Sequence, residues 1–116
     1  MIDTINIGLA LLSAGLGLIG WLAPRYTLAT LDLTTTGSTM GLSEIRAASG
    51  ALYVVLSLGA VLLASPVAYA MLGFAWAGAA LGRLTSIFAD EQPTQRTWSF
   101  FWIEAAVAGA LLALNL

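Results

Sequence analysis

The chain has 116 residues, of which 59% are hydrophobic and 9% charged, and its formal net charge is -2. A soluble domain of this size carries charge on roughly a quarter of its residues, so this composition predicts an integral membrane protein. His and Cys are absent, which excludes imidazole and thiolate metal sites, disulfides and catalytic triads. We therefore expect no enzyme activity, no cofactor and no metal. The net negative charge and the lack of a basic run argue against nucleic acid and against anionic lipid as a polybasic partner.

Four apolar stretches predict four membrane helices, because about 20 helical residues cross ~30 Å of hydrocarbon. We place them at about 5–22, 45–64, 67–88 and 97–114 of a single transmembrane domain, 1–116. Ser43 is the predicted N-cap of the second span, and Ser65 with Pro66 is predicted to form a tight turn. Residues 90–93 are predicted to connect the third and fourth spans.

The Arg residues predict the orientation of these spans in the bilayer. Arg25, Arg46, Arg83 and Arg96 all lie in or beside the two connections on the side opposite the termini. The positive-inside rule therefore predicts a multi-pass protein of the bacterial cytoplasmic (inner) membrane with external termini. A cleavable signal peptide is the alternative interpretation of the first span, but that span has neither a basic n-region nor a following A-x-A site.

Small and weakly polar residues recur in every span with a period near 3.5, which is typical of helices that pack together in membranes. The pattern predicts an all-α, four-helix bundle with left-handed packing. Its positions are Asn6, Ala10, Ser13, Gly17 and Gly20; Arg46, Gly50, Tyr53, Ser57, Ala60 and Ala64; Ala68, Leu72, Ala75, Ala79, Gly82 and Ser86; and Glu104, Ala108, Leu111 and Asn115.

A second line of small residues runs along another face of the fourth span. Ala105, Gly109 and Ala113, which we call the outer seam, repeat every four residues. Two interpretations are open: the outer seam packs against another helix of the same bundle, or it contacts a protein partner or a second copy of the chain.

Charged residues within or beside the spans form the candidate site, since a charge in hydrocarbon costs at least ~2.5 kcal/mol and needs a partner. We predict that Glu44, Arg46, Arg83 and Glu104 converge at one depth, and that Arg83 pairs with Glu104 on the adjacent, antiparallel helix. Ser86, at i+3 from Arg83, and Tyr53, at i+7 from Arg46, are expected to satisfy the remaining lone pairs and donors of this charge cluster.

Three roles are open for this charge cluster. It fixes the register of the helices, which is a common use of buried ion networks. Alternatively, Arg46 and Arg83 line a pocket for a small anion or a lipid headgroup, with the mid-span Trp76 as a wall of the pocket. Proton or ion conduction is the third role, although a carboxylate paired with Arg is poorly suited to exchanging protons.

Several of these residues carry a resemblance to a known family. The run Gly41-Leu42-Ser43-Glu44-Ile45-Arg46-Ala47 with Gly50, Gly82-Arg83-Leu84-Thr85-Ser86 with Asp90 and Pro93, and finally Glu104, are similar to the corresponding residues of domain-of-unknown-function family 4345. The resemblance covers the chain from about Gly41 onward, and the first span fits by position. It implies a bacterial four-span membrane protein and singles out Glu44, Arg46, Arg83, Ser86, Asp90 and Glu104, but it implies no activity.

Two function classes follow. The first is an accessory or structural subunit that associates with a larger membrane assembly, or with copies of itself, through small-residue helix faces. The second is a carrier or sensor that binds a small amphipathic molecule, such as a lipid, quinone or isoprenoid, at the Glu/Arg cluster.

Overall fold

The computed structural model of the protein describes residues 1–90 and 92–116; Glu91, within the predicted connection at 90–93, lies outside the described residues. The described chain is all-α and contains no strand, which confirms the predicted fold class. Its elements are α1 (Ile2–Leu22), α2 (Pro24–Thr30), α3 (Met40–Glu44), a π-helical segment (Ile45–Ala51), α4 (Leu52–Leu63), α5 (Pro66–Ala89) and α6 (Gln95–Asn115).

Four helices in the described chain are long and apolar enough to cross a membrane. They are Ile2–Leu22, Met40–Leu63, Pro66–Ala89 and Gln95–Asn115, with 21, 24, 24 and 21 residues. The second of them joins α3, the π-helical segment and α4 without a break. Each is long enough to cross ~30 Å of hydrocarbon at 1.5 Å per residue.

The helix ends differ from the predicted spans because hydropathy marks the apolar core of a helix and not its hydrogen-bonded ends. The second span begins at Met40 and not near residue 45, so the predicted N-cap Ser43 is wrong. Thr39 holds that position, and the Ser43 N–H donates to the Thr39 carbonyl at 2.9 Å. Helix α2, within a segment for which no helix was predicted, begins at Pro24, whose fixed φ suits the first helical position.

The predicted tight turn at Ser65 and Pro66 is the start of α5. Ser65 is its N-cap and accepts a hydrogen bond from the Ala68 N–H at 3.2 Å, and Pro66 is its first residue. The change of direction falls on Ala64, which has a φ of 52°. At the other end of α5, Thr94 caps α6 by accepting a hydrogen bond from the Thr97 N–H.

The chain divides into two compact units. The N-terminal unit is Ile7–Leu62, and the C-terminal unit combines Met1–Asn6 with Leu63–Leu116. The predicted single domain and the left-handed packing of the four spans stay predictions.

In the N-terminal unit, α1 and the π-helical segment approach each other closely enough for their backbones to touch. A Cβ on Gly20 would lie 2.6 Å from the Ser49 carbonyl oxygen, and one on Gly17 would lie 2.7 Å from that of Gly50. A Cβ on Gly50 would lie 2.5 Å from the Trp21 nitrogen. Glycine is therefore required on both sides of this contact, as in small-residue packing of membrane helices.

In the C-terminal unit, α5 and α6 pack along each other. Gly73 gives α6 room, because a Cβ there would lie 3.0 Å from the Leu111 Cβ and 3.1 Å from the Leu112 Cγ. Leu72 and Leu111 are fully buried in this interior, beside the larger Tyr69 and Trp76.

The predicted stripe is correct on α1 and nearly so on α6. Asn6, Ala10, Ser13, Gly17 and Gly20 are all buried, as are Glu104, Ala108 and Leu111. On the second span Gly50, Ser57 and Ala60 are buried, whereas the end positions Arg46 and Ala64 are exposed. On α5 the predicted stripe is correct at Leu72, which is fully buried, but wrong at Ala75, Ala79 and Gly82, which are half-buried or exposed. The other buried residues of α5 are Tyr69, Ala70, Gly73, Trp76, Ala80 and Ile87. The aromatic side chains of Tyr69 and Trp76 fill the interior there, and a pattern of small residues does not predict them.

The outward surface of the helices is apolar. Leu62, Val67, Leu81 and Phe88 are each more than 60% exposed, while Asn6, Ser13 and Ser57 are at most 2% exposed. In water such a surface would be unfavourable, whereas in a bilayer it faces lipid tails at no cost. This distribution agrees with a protein whose helices sit in a lipid bilayer.

Candidate functional site

The charged site is built on Arg83 of α5 and Glu104 of α6. The Arg83 Nε donates to Glu104 Oε1 at 3.1 Å, and Nη2 donates to Oε2 at 3.1 Å. The predicted ion pair is therefore confirmed, in the two-bond geometry that suits a planar guanidinium and a carboxylate. The Glu104 side chain is 10% exposed and that of Arg83 is 32% exposed.

An aromatic ring on α6 supports the guanidinium of the pair. Phe100, one turn before Glu104 on α6, lies beneath the guanidinium, with 5.3 Å from the Arg83 Cζ to the ring centroid. An aromatic face attracts a cation and offers an apolar support for its planar head. Arg83 is thus held by a carboxylate at its edge and by a ring at its face, both supplied by α6.

Ser86 and Asp90 close the end of α5. The Ser86 hydroxyl donates to Asp90 Oδ2 at 2.7 Å, and the Asp90 N–H donates to the Ser86 carbonyl oxygen. The expected support of Arg83 by Ser86 is therefore wrong, because the hydroxyl has a closer carboxylate one turn further along the same helix. Asp90, singled out by the family resemblance, acts here as the acceptor that ends α5.

Arg46 and Glu44 of the N-terminal unit are both exposed. The Arg46 Nη1 donates to the Trp21 carbonyl oxygen at 2.7 Å. Carbonyl groups in the last turn of a helix have no partner within the helix. A cation there is also stabilised by the negative end of the helix dipole. Arg46 thus completes the C-terminus of α1, a role that the sequence did not reveal. Whether all four charges converge stays a prediction.

The other proposed members of the site are Tyr53 and Trp76. Tyr53 is half-buried on α4, two residues beyond the π-helical segment. Trp76 is 8% exposed in the interior of the C-terminal unit. That burial favours packing, and its role as a ligand wall stays a hypothesis. Among the described residues no group of His, Cys, Asp or Glu could hold a metal ion.

An amide pair joins α1 and α6 in the C-terminal unit. The Asn6 Nδ2 donates to Asn115 Oδ1 at 2.9 Å, and the Asn115 Nδ2 donates back to Asn6 Oδ1 at 2.8 Å. The Asn115 Nδ2 also donates to the Leu111 carbonyl oxygen at 2.7 Å. Both Asn residues lie on the predicted stripe, but their pairing was missed. The available signal was two amides at the outer ends of the first and last spans.

The π-helical segment is a further feature that the sequence analysis missed. It begins directly after Glu44, includes Arg46, and ends just past Gly50. Widened turns of this kind are rare and occur often at functional sites. The signal was the glycine that meets Gly17 and Gly20, since the backbone contact falls inside this segment.

These features define a class: a small helical protein with four helices able to cross a membrane and a bidentate Arg–Glu pair between two of them. The model of the domain of unknown function DUF4345 matches residues 3–115. The chain belongs to this family. The match also includes the first span, which the sequence resemblance covered by position alone. No curated protein and no solved structure is significantly similar to the chain.

Proposed function

We propose that this protein is a non-catalytic membrane component that associates with other membrane helices through an uncovered face of α6. The observation that carries the proposal is the outer seam. Ala105 is half-buried, and Gly109 and Ala113 are exposed. Among the described residues, no heavy atom other than those of the adjacent residues and the nearby α6 backbone lies within 4 Å of a Cβ built on Gly109.

The chain's own packing uses a different face of α6, which supports this proposal. Glu104, Ala108 and Leu111 are buried by the protein itself, whereas the outer seam is left for lipid or for another helix. Small residues spaced by four allow close backbone approach, which gives membrane helices their van der Waals contact. Gly78 and Gly82 on α5 repeat this spacing and are exposed, and a Cβ built on either would meet no described atom outside its own stretch of helix within 4 Å.

The state of the ion pair also favours a non-catalytic component. Both oxygens of Glu104 accept hydrogen bonds from Arg83. A general base would have to break one of these bonds before it took up a proton from a substrate. We infer a bacterial inner-membrane location with external termini from the placement of the Arg residues.

The test is to replace Gly109 with Leu and identify the chains that leave the membrane with the protein. We expect the wild type to be extracted with a stoichiometric partner or as a homo-oligomer, and Gly109→Leu to lose that association. Gly15→Leu on α1 is the matched control, because Gly15 is also exposed with nothing within 4 Å. A wild type that is monomeric in native mass spectra, or a variant that keeps its partner, contradicts the proposal. Gly78→Leu tests whether α5 contributes a second contact.

A second candidate is a carrier or sensor of a small amphipathic molecule. An open depression beside Arg46, lined by Thr39, Leu42, Ser43 and Ala47, favours it. At Arg83 the same role would require a ligand to displace Glu104. Extraction of a monomer that carries a stoichiometric lipid-like molecule, and no partner chain, would support this candidate over the first.

A further inference from the structure

The depression at the start of the second span combines hydrogen-bond donors with an apolar lining. Its residues are Thr39, Leu42, Ser43, Arg46 and Ala47. Thr39, Ser43 and Arg46 are separated by four and three residues, so their side chains share one face of the helix. This face therefore presents two hydroxyls and a guanidinium beside a Leu and an Ala.

Both hydroxyls are available to a ligand. Thr39 and Ser43 are exposed. Thr39 occupies the N-cap position, but its side chain makes no capping bond. Within the part of the chain that the structure describes, neither hydroxyl has a hydrogen-bond partner. Each can donate to an oxygen of an incoming group.

Arg46 is held in position and keeps its charge. Its bond to the Trp21 carbonyl oxygen, 2.7 Å long, fixes one edge of the guanidinium. A carbonyl group is uncharged, so it does not neutralise the cation, and most of the five N–H donors of an Arg stay available. Glu44 is two residues away, a spacing at which helical side chains do not face each other. No ion pair joins it to Arg46 among the described residues.

We propose that this depression binds the phosphate group of an anionic phospholipid. Arg46 contacts the phosphate through its free guanidinium edge, Ser43 and Thr39 donate to the same group, and Leu42 and Ala47 contact the apolar part of the lipid. The inference deepens the second candidate function and rests on it, while it is independent of the outer seam on α6.

The position of the depression favours a lipid over free phosphate. The depression lies at the beginning of a 24-residue helix able to cross a membrane, where lipid headgroups are the most abundant phosphates. The same position supplies acyl chains to the apolar lining.

Binding is measured on the full-length protein in detergent by native mass spectrometry. The probes are dioleoyl phosphatidylglycerol, dioleoyl phosphatidylcholine and inorganic phosphate, titrated separately. We expect wild-type protein to bind phosphatidylglycerol about tenfold more tightly than phosphatidylcholine, because both lipids carry the phosphate but the choline cation repels the Arg46 guanidinium and offsets the phosphate charge. Arg46→Gln is expected to abolish this preference, and Arg46→Lys to keep part of it because the charge stays but the planar fork is lost.

Ser43→Ala guards against a trivial loss of folding, because it leaves the bond between Arg46 and Trp21 in place. We expect it to weaken phosphatidylglycerol binding about threefold. Arg96→Gln makes the same change of charge outside the depression and should bind like the wild type. An equal loss in Arg96→Gln, or equal affinity for the two lipids, overturns the proposal. Inorganic phosphate that binds as tightly as phosphatidylglycerol overturns the lipid assignment.

The outcome is separable from that of the function proposed first. Loss of lipid in Arg46→Gln with retention of a partner chain tests the depression alone. Loss of the partner in Gly109→Leu with retention of lipid tests the outer seam alone. A lipid-binding wild type that is monomeric and carries no partner chain supports the depression and contradicts the accessory role.

Discussion

Buried polar side chains in this protein are held mainly by other polar groups. Glu104 has Arg83, Asn6 has Asn115, and the Ser13 hydroxyl donates to the Leu9 carbonyl oxygen at 2.8 Å. Ser57 differs, because its hydroxyl is fully buried and has no hydrogen-bond partner among the described residues. A polar group inside hydrocarbon is costly when it is alone, so these pairs specify which helix faces meet.

Removing one member of the ion pair should therefore destabilise the fold. We expect Glu104→Gln to lower stability by about 1–3 kcal/mol, below the ~3–5 kcal/mol of a fully buried pair, because the Arg83 side chain is 32% exposed. The double change Arg83→Leu with Glu104→Leu should recover much of this loss. The measurement is the thermal unfolding transition in detergent, followed by Trp fluorescence.

The control for this change is Glu44→Gln, which alters an exposed carboxylate. It should stay within about 0.5 kcal/mol of the wild type. A Glu104→Gln protein with an unchanged unfolding transition that had lost a bound molecule or partner would mean that the pair is functional and not structural.

At the scale of the elements, the contact between α1 and the π-helical segment depends on glycine. Three glycines, Gly17, Gly20 and Gly50, leave no room for a Cβ at their present separation. The backbones are then close enough for Arg46 to reach the end of α1 and bond to Trp21. Close packing and the position of the Arg46 guanidinium are thus parts of the same arrangement.

We expect Gly20→Ala to destabilise the protein by about 1–3 kcal/mol, the usual cost of overpacking. Its Cβ would lie 2.6 Å from the Ser49 carbonyl oxygen, so the backbone has to move. Gly15→Ala on the same helix is the control: nothing lies within 4 Å of a Cβ there, and we expect a gain of up to about 1 kcal/mol from the better helix former. Unfolding of both variants in parallel gives the comparison, and equal stabilities would show that the contact can relax.

At the scale of the whole molecule, the Arg residues determine the expected orientation. Arg25 is the second residue of α2, and Arg96 lies in the first turn of α6. Four membrane crossings would place both termini on one side, and the positive-inside rule predicts that the excess of Arg lies on the cytoplasmic side. The outer seam and the depression beside Arg46 would then be presented to partners and lipids in a defined direction.

A fusion experiment checks this orientation. Alkaline phosphatase fused after Leu116 should be active, because that enzyme folds only outside the cytoplasm, and a fluorescent protein at the same place should be dark. Insertion of the same reporters between Thr36 and Gly37, in the exposed connection, should give the reverse pattern. A bright fluorescent protein after Leu116 would place the termini inside.

The sequence by itself determined the four spans, the all-α class, the buried faces of α1 and α6, and the pairing of Arg83 with Glu104. Each of these follows from distances along the sequence: the length of the apolar stretches, the period near 3.5 of the small residues, and the number of residues between a charge and the end of its helix. Helices that follow each other in the chain usually pack side by side, so two charges at the same depth come into contact. The pairing of Arg83 with Glu104 could therefore be predicted from the sequence.

Only the tertiary structure decided the partners that depend on separation across the chain. The Trp21 carbonyl oxygen accepts a hydrogen bond from Arg46, and Asn6 bonds to Asn115. The structure also decided a local choice, because the Ser86 hydroxyl bonds to Asp90, four residues further on, in place of Arg83. The structure also decided which face of α5 is buried. Tyr69 and Trp76 are buried there, whereas the sequence pattern predicted a face made mostly of small residues. A period assigns residues to a face, but which neighbour a side chain meets depends on the distance between backbones. That distance is set here by glycines and by a π-helical turn that no spacing rule encodes.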